Sequence, residues 1–209
     1  LSKKNLNKTK HLTGLKYVII PNNCTKEKNR LEIKKIPKTL TVGTFFGSSD
    51  KVNCSERLLK IFTQDEFKKF KFISILGKNN KNKARIEKNF KKFKNIDIEK
   101  KFINMKYFFK KIDIMITVGG VTLFEALCHN IECICIPINY YQKMSCNFLR
   151  KNKISNVFNY DEVFNRNGKK LLINFLKKIS KKNIFLRKKK YLDDQGSKRI
   201  ADYILSLKS

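Results

Sequence analysis

Metal and disulfide chemistry have little to work with in this chain. Histidine occurs only at His11 and His129, and none of the six cysteines forms a Cys-x-x-Cys pair. Cys24, Cys54, Cys128, Cys133, Cys135 and Cys146 therefore read as free thiols in a reducing compartment, not as zinc ligands or bridges. Cys133 and Cys135, two apart on an expected strand, share one face, the ordinary core placement of a small apolar side chain. No apolar run approaches the ~18 residues of a membrane span, and the longest, residues 131–138, is broken by Glu132. Secretory signals and internal repeats are missing too. A first residue that is Leu and not Met points to a fragment or a processed product. No metal and no cofactor are expected. The expected location is cytoplasmic, extending to a peripheral place at the inner membrane face.

Acidic residues are scarce: 17 Asp and Glu stand against 48 Lys and Arg, a formal net charge of +31. Such a charge suits nucleic acid or an anionic membrane surface. The basic residues are nevertheless spread along the whole chain. Lys, Asn, Ile and Phe are abundant together, and their codons are rich in A and T, so nucleotide bias is the preferred source of the lysine. As a partner, an anionic membrane surface ranks next. Nucleic acid ranks last, because the aromatics lie mainly at core spacing.

The length suits one sizeable α/β domain. Residues 1–38 read as a polar connector with one anchoring segment at 17–21, and residues 39–209 as the folded domain. Strands are expected at 39–46, 70–76, 112–117 and 132–136, with a weak one at 154–158, while 96–98 is ambiguous. Helices are expected around Leu58, Leu59 and Phe62, at 82–93, at 105–111, from the glycine pair to about 130, beyond Gln142, and at 197–207. Residues 177–190 read as a solvated helical surface. Strands alternating with helices predict a Rossmann-like parallel sheet with helices on both faces.

The richest stretch is 112–127. An isoleucine-dense run ends in Gly119-Gly120, and a helical segment starts at once. N–H groups at a helix start, together with the positive end of its dipole, make an anion site. Glycine lets the backbone approach a ligand with no Cβ in the way. Thr122 and Glu125 carry two readings: a capping box in which Glu125 returns to the Thr122 N–H, or a carboxylate that holds a ribose. Gly47 and Gly77 also follow expected strand ends, the edge at which open α/β sheets bind ligands.

Asp113 to Glu125, followed by Pro137 and Gln142, resembles the C-terminal half of GT-B-type nucleotide-sugar enzymes, including MurG-like (family 28) glycosyltransferases. More of the chain is similar to PseG-like UDP-sugar hydrolases. Leu12-Thr13-Gly14-Leu15-Lys16-Tyr17 resembles their entry segment, and Phe46-Gly47-Ser48-Ser49-Asp50-Lys51-Val52-Asn53 their Gly-Gly-Ser-Asp-x-x-Asn loop. Asn104-Met105 and the stretch Asp194 to Ala201 are similar to two further elements.

The resemblance implies a single GT-B half-domain for a UDP-sugar. Gly119, Gly120, Val121 and Thr122 would cradle the diphosphate and Glu125 hold the ribose. Backbone at Ile103 and Asn104 would meet the base, Tyr141 and Gln142 would face the sugar, and Gly47 and Ser48 would form a second loop. Val121 and Ser48 depart from the pattern, standing where a hydroxyl residue and a glycine are usual. The resemblance also implies that catalysis needs a sister N-terminal domain or a separate partner chain, so no catalytic residue is assigned. His11 falls in the connector, and His129 ends a helix, where a cation is ordinary. The function implied is glycosyl transfer or nucleotide-sugar hydrolysis in cell-surface glycan biosynthesis. The alternative is a basic binding module for an anionic membrane or nucleic acid.

Overall fold

The structure, a computed structural model, describes residues 10–21, 39–99, 104–181 and 192–207. Its strands are β1 (Thr41–Phe45), β2 (Lys71–Ile75), β3 (Ile96–Glu99), β4 (Ile114–Thr117), β5 (Glu132–Cys135) and β6 (Asn156–Val157). Every pairing is parallel, in the order β3-β2-β1-β4-β5-β6. The helices are α1 (Cys54–Phe62), α2 (Lys83–Phe90), α3 (Met105–Lys111), α4 (Val121–Cys128), α5 (Tyr140–Lys151), α6 (Tyr160–Phe164), α7 (Gly168–Ser180) and α8 (Gly196–Ser206). The expected Rossmann-like architecture is the one found.

Side-chain alternation along the strands sorts two cores. Phe72, Ile114, Ile116 and Ile134 face one side, where Leu58, Leu59 and Phe62 of α1, Ile86 and Phe90 of α2, and Leu172 and Leu176 of α7 meet them. The Phe62 and Phe72 rings stack at 3.8 Å, and each fully buried side chain of this size contributes about 1.5–3 kcal/mol. Ile73, Ile75, Met115, Cys133 and Cys135 face the other side, against Phe108 and Phe109 of α3, Leu123 and Leu127 of α4, and Cys146 and Leu149 of α5. Helices therefore cover both faces. The shared placement expected for Cys133 and Cys135 holds.

Ends differ from expectation more than elements do. The ambiguous 96–98 segment is the edge strand β3, half exposed because no strand covers its outer side. The weak strand at 154–158 shortens to the two residues of β6. The anchoring segment packs: Ile20 is buried, and Arg199 donates to the Lys16 carbonyl at 2.9 Å and to Asp193 at 2.7 Å. The entry and closing segments thus meet. Residues 1–9 and 22–38 of the connector (with Cys24), Ile103 and residues 182–190 of the expected solvated surface lie outside the described residues. Among the described residues, no helix is long and apolar enough to cross a membrane.

Chain direction reverses its walk across the sheet between β1 and β4, the switch point at which ligands enter such folds. Their pairing is tight. A Cβ at Gly43 of β1 would lie 2.6 Å from Ile112 Cδ1 and 2.7 Å from Phe108 Cζ. Gly43→Ala should therefore destabilise the domain by about 1–3 kcal/mol, read as a lower denaturation midpoint. An unchanged midpoint would show that α3 yields freely.

Candidate nucleotide-diphosphate site

Two loops emerge side by side at the switch point, one after β1 and one after β4. Each leads into a helix, and the two helix starts are treated differently.

The loop after β1 turns at Gly47, whose φ is +86°, a conformation natural to glycine. Asp50 and Asn53 are also left-handed, at φ 42° and 56°. The Asp50 carboxylate accepts from the Cys54 and Ser55 N–H groups, both at 2.8 Å. Burial raises its pKa, and those same hydrogen bonds pull the other way. Burial, with Asp50 beside it, pushes the Cys54 thiol up to about 12. The chain's own carboxylate thus fills the start of α1, leaving no room for an external anion. Close approach in this loop falls at Gly77, where a Cβ would lie 2.2 Å from both the Gly47 and Ser48 carbonyl oxygens. Ser48 accepts from the Asn79 N–H at 3.0 Å, so the second loop is braced by the loop after β2.

The loop after β4 has no such plug. Val118 leads into the glycine pair, and Gly120, extended at φ −107° and ψ −167°, is the N-cap of α4 without a side-chain cap bond. The helix starts at Val121, one residue before the position a capping box needs. That box is not formed. Glu125 sits a turn further in, and no described residue donates to its carboxylate. Burial alone holds this carboxyl above its ordinary range. Of the expected cradle, the Gly120 N–H turns back to the Val118 carbonyl at 2.8 Å. The N–H groups of Gly119, Val121 and Thr122 have no acceptor among the described residues. The two glycines also do different work. A Cβ at Gly120 would meet nothing within 4 Å, whereas at Gly119 it would lie 2.7 Å from Cys146 Sγ and 3.1 Å from Gln142 Cβ. Gly120 borders open space, while the missing Cβ of Gly119 makes room for α5.

Helix α5 brings Gln142 to this turn. Gln142 Oε1 accepts from the Ile138 N–H at 3.0 Å, which leaves its amide NH₂ without an acceptor among the described residues. Tyr141, the next residue back, is 80% exposed, with Tyr140 edge-on at 5.8 Å. Cys146 beneath the turn touches Cys135 of β5, sulfur to sulfur at 2.9 Å. That contact and burial push the Cys135 thiol up, so it stays neutral. Asn104 is exposed and caps α3, accepting from the Lys106 N–H at 2.9 Å. His129 follows α4, its ring 5.2 Å from that of Phe109. Asp50 as a plug and Cys146 as the partner of Gly119 were not foreseen. An acidic residue four positions before a helical run was the available signal for the first.

Comparison with known proteins identifies the family of this fold. The model of the glycosyltransferase family 28 C-terminal domain matches residues 41–202, most of the chain. The chain belongs to that family. An uncharacterised protein of Methanocaldococcus jannaschii is 30% identical to this family 28 domain over 141 residues, 66% of the chain and 29% of the relative. Among solved structures, Acinetobacter baumannii MurG superposes with a TM-score of 0.63 at 15% identity, over 81% of this chain and 50% of that one. Staphylococcus aureus MnaA, solved with UDP, gives 0.58 at 14% identity, over 80% and 44%. At such identities these two show the shared fold. The chain spans half or less of the length of each of these relatives.

In this family 28 domain, Gly119→Ala should cost about 1–3 kcal/mol by forcing α5 away from the turn. Adding Cys146→Ala should return part of that loss, because it removes the nearest clashing atom. Strict additivity of the two changes in a denaturation cycle would contradict the contact.

Proposed function

We propose that the domain binds a UDP-sugar at the start of α4 and serves as the donor half of a glycosyltransferase in cell-surface glycan biosynthesis. The observation that carries this reading is the contrast at the switch point. One helix start is filled by Asp50, while the other offers amides with no acceptor among the described residues, beside the open space at Gly120. Amides aimed outward at a helix N-terminus suit a diphosphate. Val121 contributes its N–H to that cradle even though it lacks a hydroxyl. Thr122 adds a second N–H.

Glu125, held near the turn with no donor of its own among the described residues, suits paired ribose hydroxyls. Gln142, with its NH₂ free to donate, suits a sugar hydroxyl, and Tyr141, the residue before it, is assigned to the sugar as well. Backbone at Asn104, next to Ile103, is assigned to the base, and the Gly47–Ser48 loop forms the facing lip. The site's chemistry is stabilisation: fixed amides lower the energy of charge that builds on the departing diphosphate as the anomeric bond breaks. No side chain here is placed as a base. A second domain, in the same protein or a separate chain, supplies that group and the acceptor. Transfer to an acceptor is preferred to hydrolysis because the family is one of transferases.

Calorimetric titration with UDP should show saturable binding to the chain, and absence of heat at millimolar UDP would sink the reading. Gly120→Asp should abolish binding while thermal unfolding stays unchanged, since its backbone angles suit any residue and its Cβ enters open space. Binding equal to the parent's would place the diphosphate elsewhere.

Glu125 gives a pH signature. Its folded pKa is raised by burial, so its contribution to stability is present at acid pH and fades as pH rises through that raised value. Ribose binding needs the ionised acceptor and runs the other way, so UDP affinity should fall as pH drops through the same window. In Glu125→Gln that fall should flatten. Changes in UDP's own ionisation act on both proteins and cancel in the comparison.

A further inference from the structure

Helix α5 is apolar on its outer side as well as its inner side. Gln142, Cys146 and Leu149 face inward, toward the turn and the core. On the opposite side Tyr140, Met144 and Phe148 recur every fourth residue, which lines them up along the helix. They are 70%, 57% and 47% exposed, and Tyr141 stands at the margin of the row. Single exposed apolar residues need no explanation, whereas an aligned row marks a surface that meets something. Lys151 continues the row, with Lys143 on its flank and Lys153 just past the helix end, all exposed, while Arg150 turns away to donate to the Val157 carbonyl at 3.0 Å. No Asp or Glu occurs between Glu132 and Asp161.

We propose that the outer face of α5 docks on an anionic lipid bilayer. Aromatic rings and a methionine suit the boundary of head groups and acyl chains, where the Tyr hydroxyls stay hydrated. The lysines lay their stems along the apolar row and carry their charges to lipid phosphates. A protein partner fits this face less well. Protein interface cores are depleted in lysine, and burying the Lys151 ammonium would require an acidic mate. The net charge of +31 supplies long-range attraction to the same surface. The proposal does not depend on what the turn binds. Because Cys146 and Gln142 press the inner face of this helix against Gly119, docking would hold the turn about 10 Å from the lipid, one helix diameter away.

The chain has no tryptophan, so Phe148→Trp gives a lone fluorophore on the proposed face. Its emission should shift to the blue and become shielded from an aqueous quencher on addition of vesicles of equimolar phosphatidylcholine and phosphatidylglycerol. Pure phosphatidylcholine should act weakly. Met144→Glu with Phe148→Glu should lower affinity for the anionic vesicles by at least about tenfold. Lys88→Ala on α2 with Lys91→Ala just past its end, which changes net charge equally, should lose less. Far-UV circular dichroism checks that both pairs fold. Three results would each overturn the proposal: no binding to the anionic vesicles, no spectral change at residue 148, or equal losses in the two pairs. Vesicle binding that survives the glutamate pair, with loss of a complex with a second protein domain, would reassign the face to that protein.

Discussion

The pairing of β1 with β4 governs the molecule's useful end. It is locked at both ends. Thr41 and Asp113 exchange hydrogen bonds at the amino edge, 2.9 Å to the Asp113 carboxylate and 2.8 Å back to the Thr41 carbonyl. At the carboxyl edge the Thr117 hydroxyl donates to the Phe45 carbonyl at 2.7 Å. Between them Gly43 admits Phe108 and Ile112, which fixes the layer of α3. Because the strand order reverses here, the loops after β1 and β4 stand next to each other, each leading into a helix. A parallel sheet of this kind is covered on both faces, so its carboxyl edge is where shape remains to be decided.

The two helix starts show how local chemistry decides it. Orphan N–H groups at a helix start need acceptors from somewhere. At α1 the protein supplies one itself, with a buried aspartate in a left-handed turn. At α4 the Val118 and Gly120 carbonyls take the Gly120 and Leu123 N–H groups, and those of Val121 and Thr122 have no acceptor among the described residues. The domain carries the two arrangements a few residues from the same strand ends. This contrast, more than the large positive charge, is what the proposed binding reading rests on.

Much of this was legible in the sequence. β-branched and aromatic runs located the strands of the sheet's centre, and the apolar spacing of Leu58, Leu59 and Phe62 located α1. The family resemblance rested on motifs in the right order, and the residues from 41 to 202 belong to that family. Other features were hidden for physical reasons. Gly119 and Gly120 are identical as letters, and what separates them is Cys146, contributed by a helix more than twenty residues on. The Thr122 and Glu125 spacing fits a capping box, but the helix begins at Val121 and removes its geometry. Edge strands were hardest to see, because a strand covered on one side needs little apolar character. Asp97, exposed in β3, is an instance.

Those modest edges have a consequence for assembly. The sheet stops at β6, two residues long, on one side, and on the other at β3, four residues long with Asp97 and Glu99 in it. Strands so short and charged offer a poor template for another chain's backbone, which is how natural sheets resist stacking and fibrous aggregation. Among the described residues, side chains on helices and loops therefore offer more for association than these strand edges do.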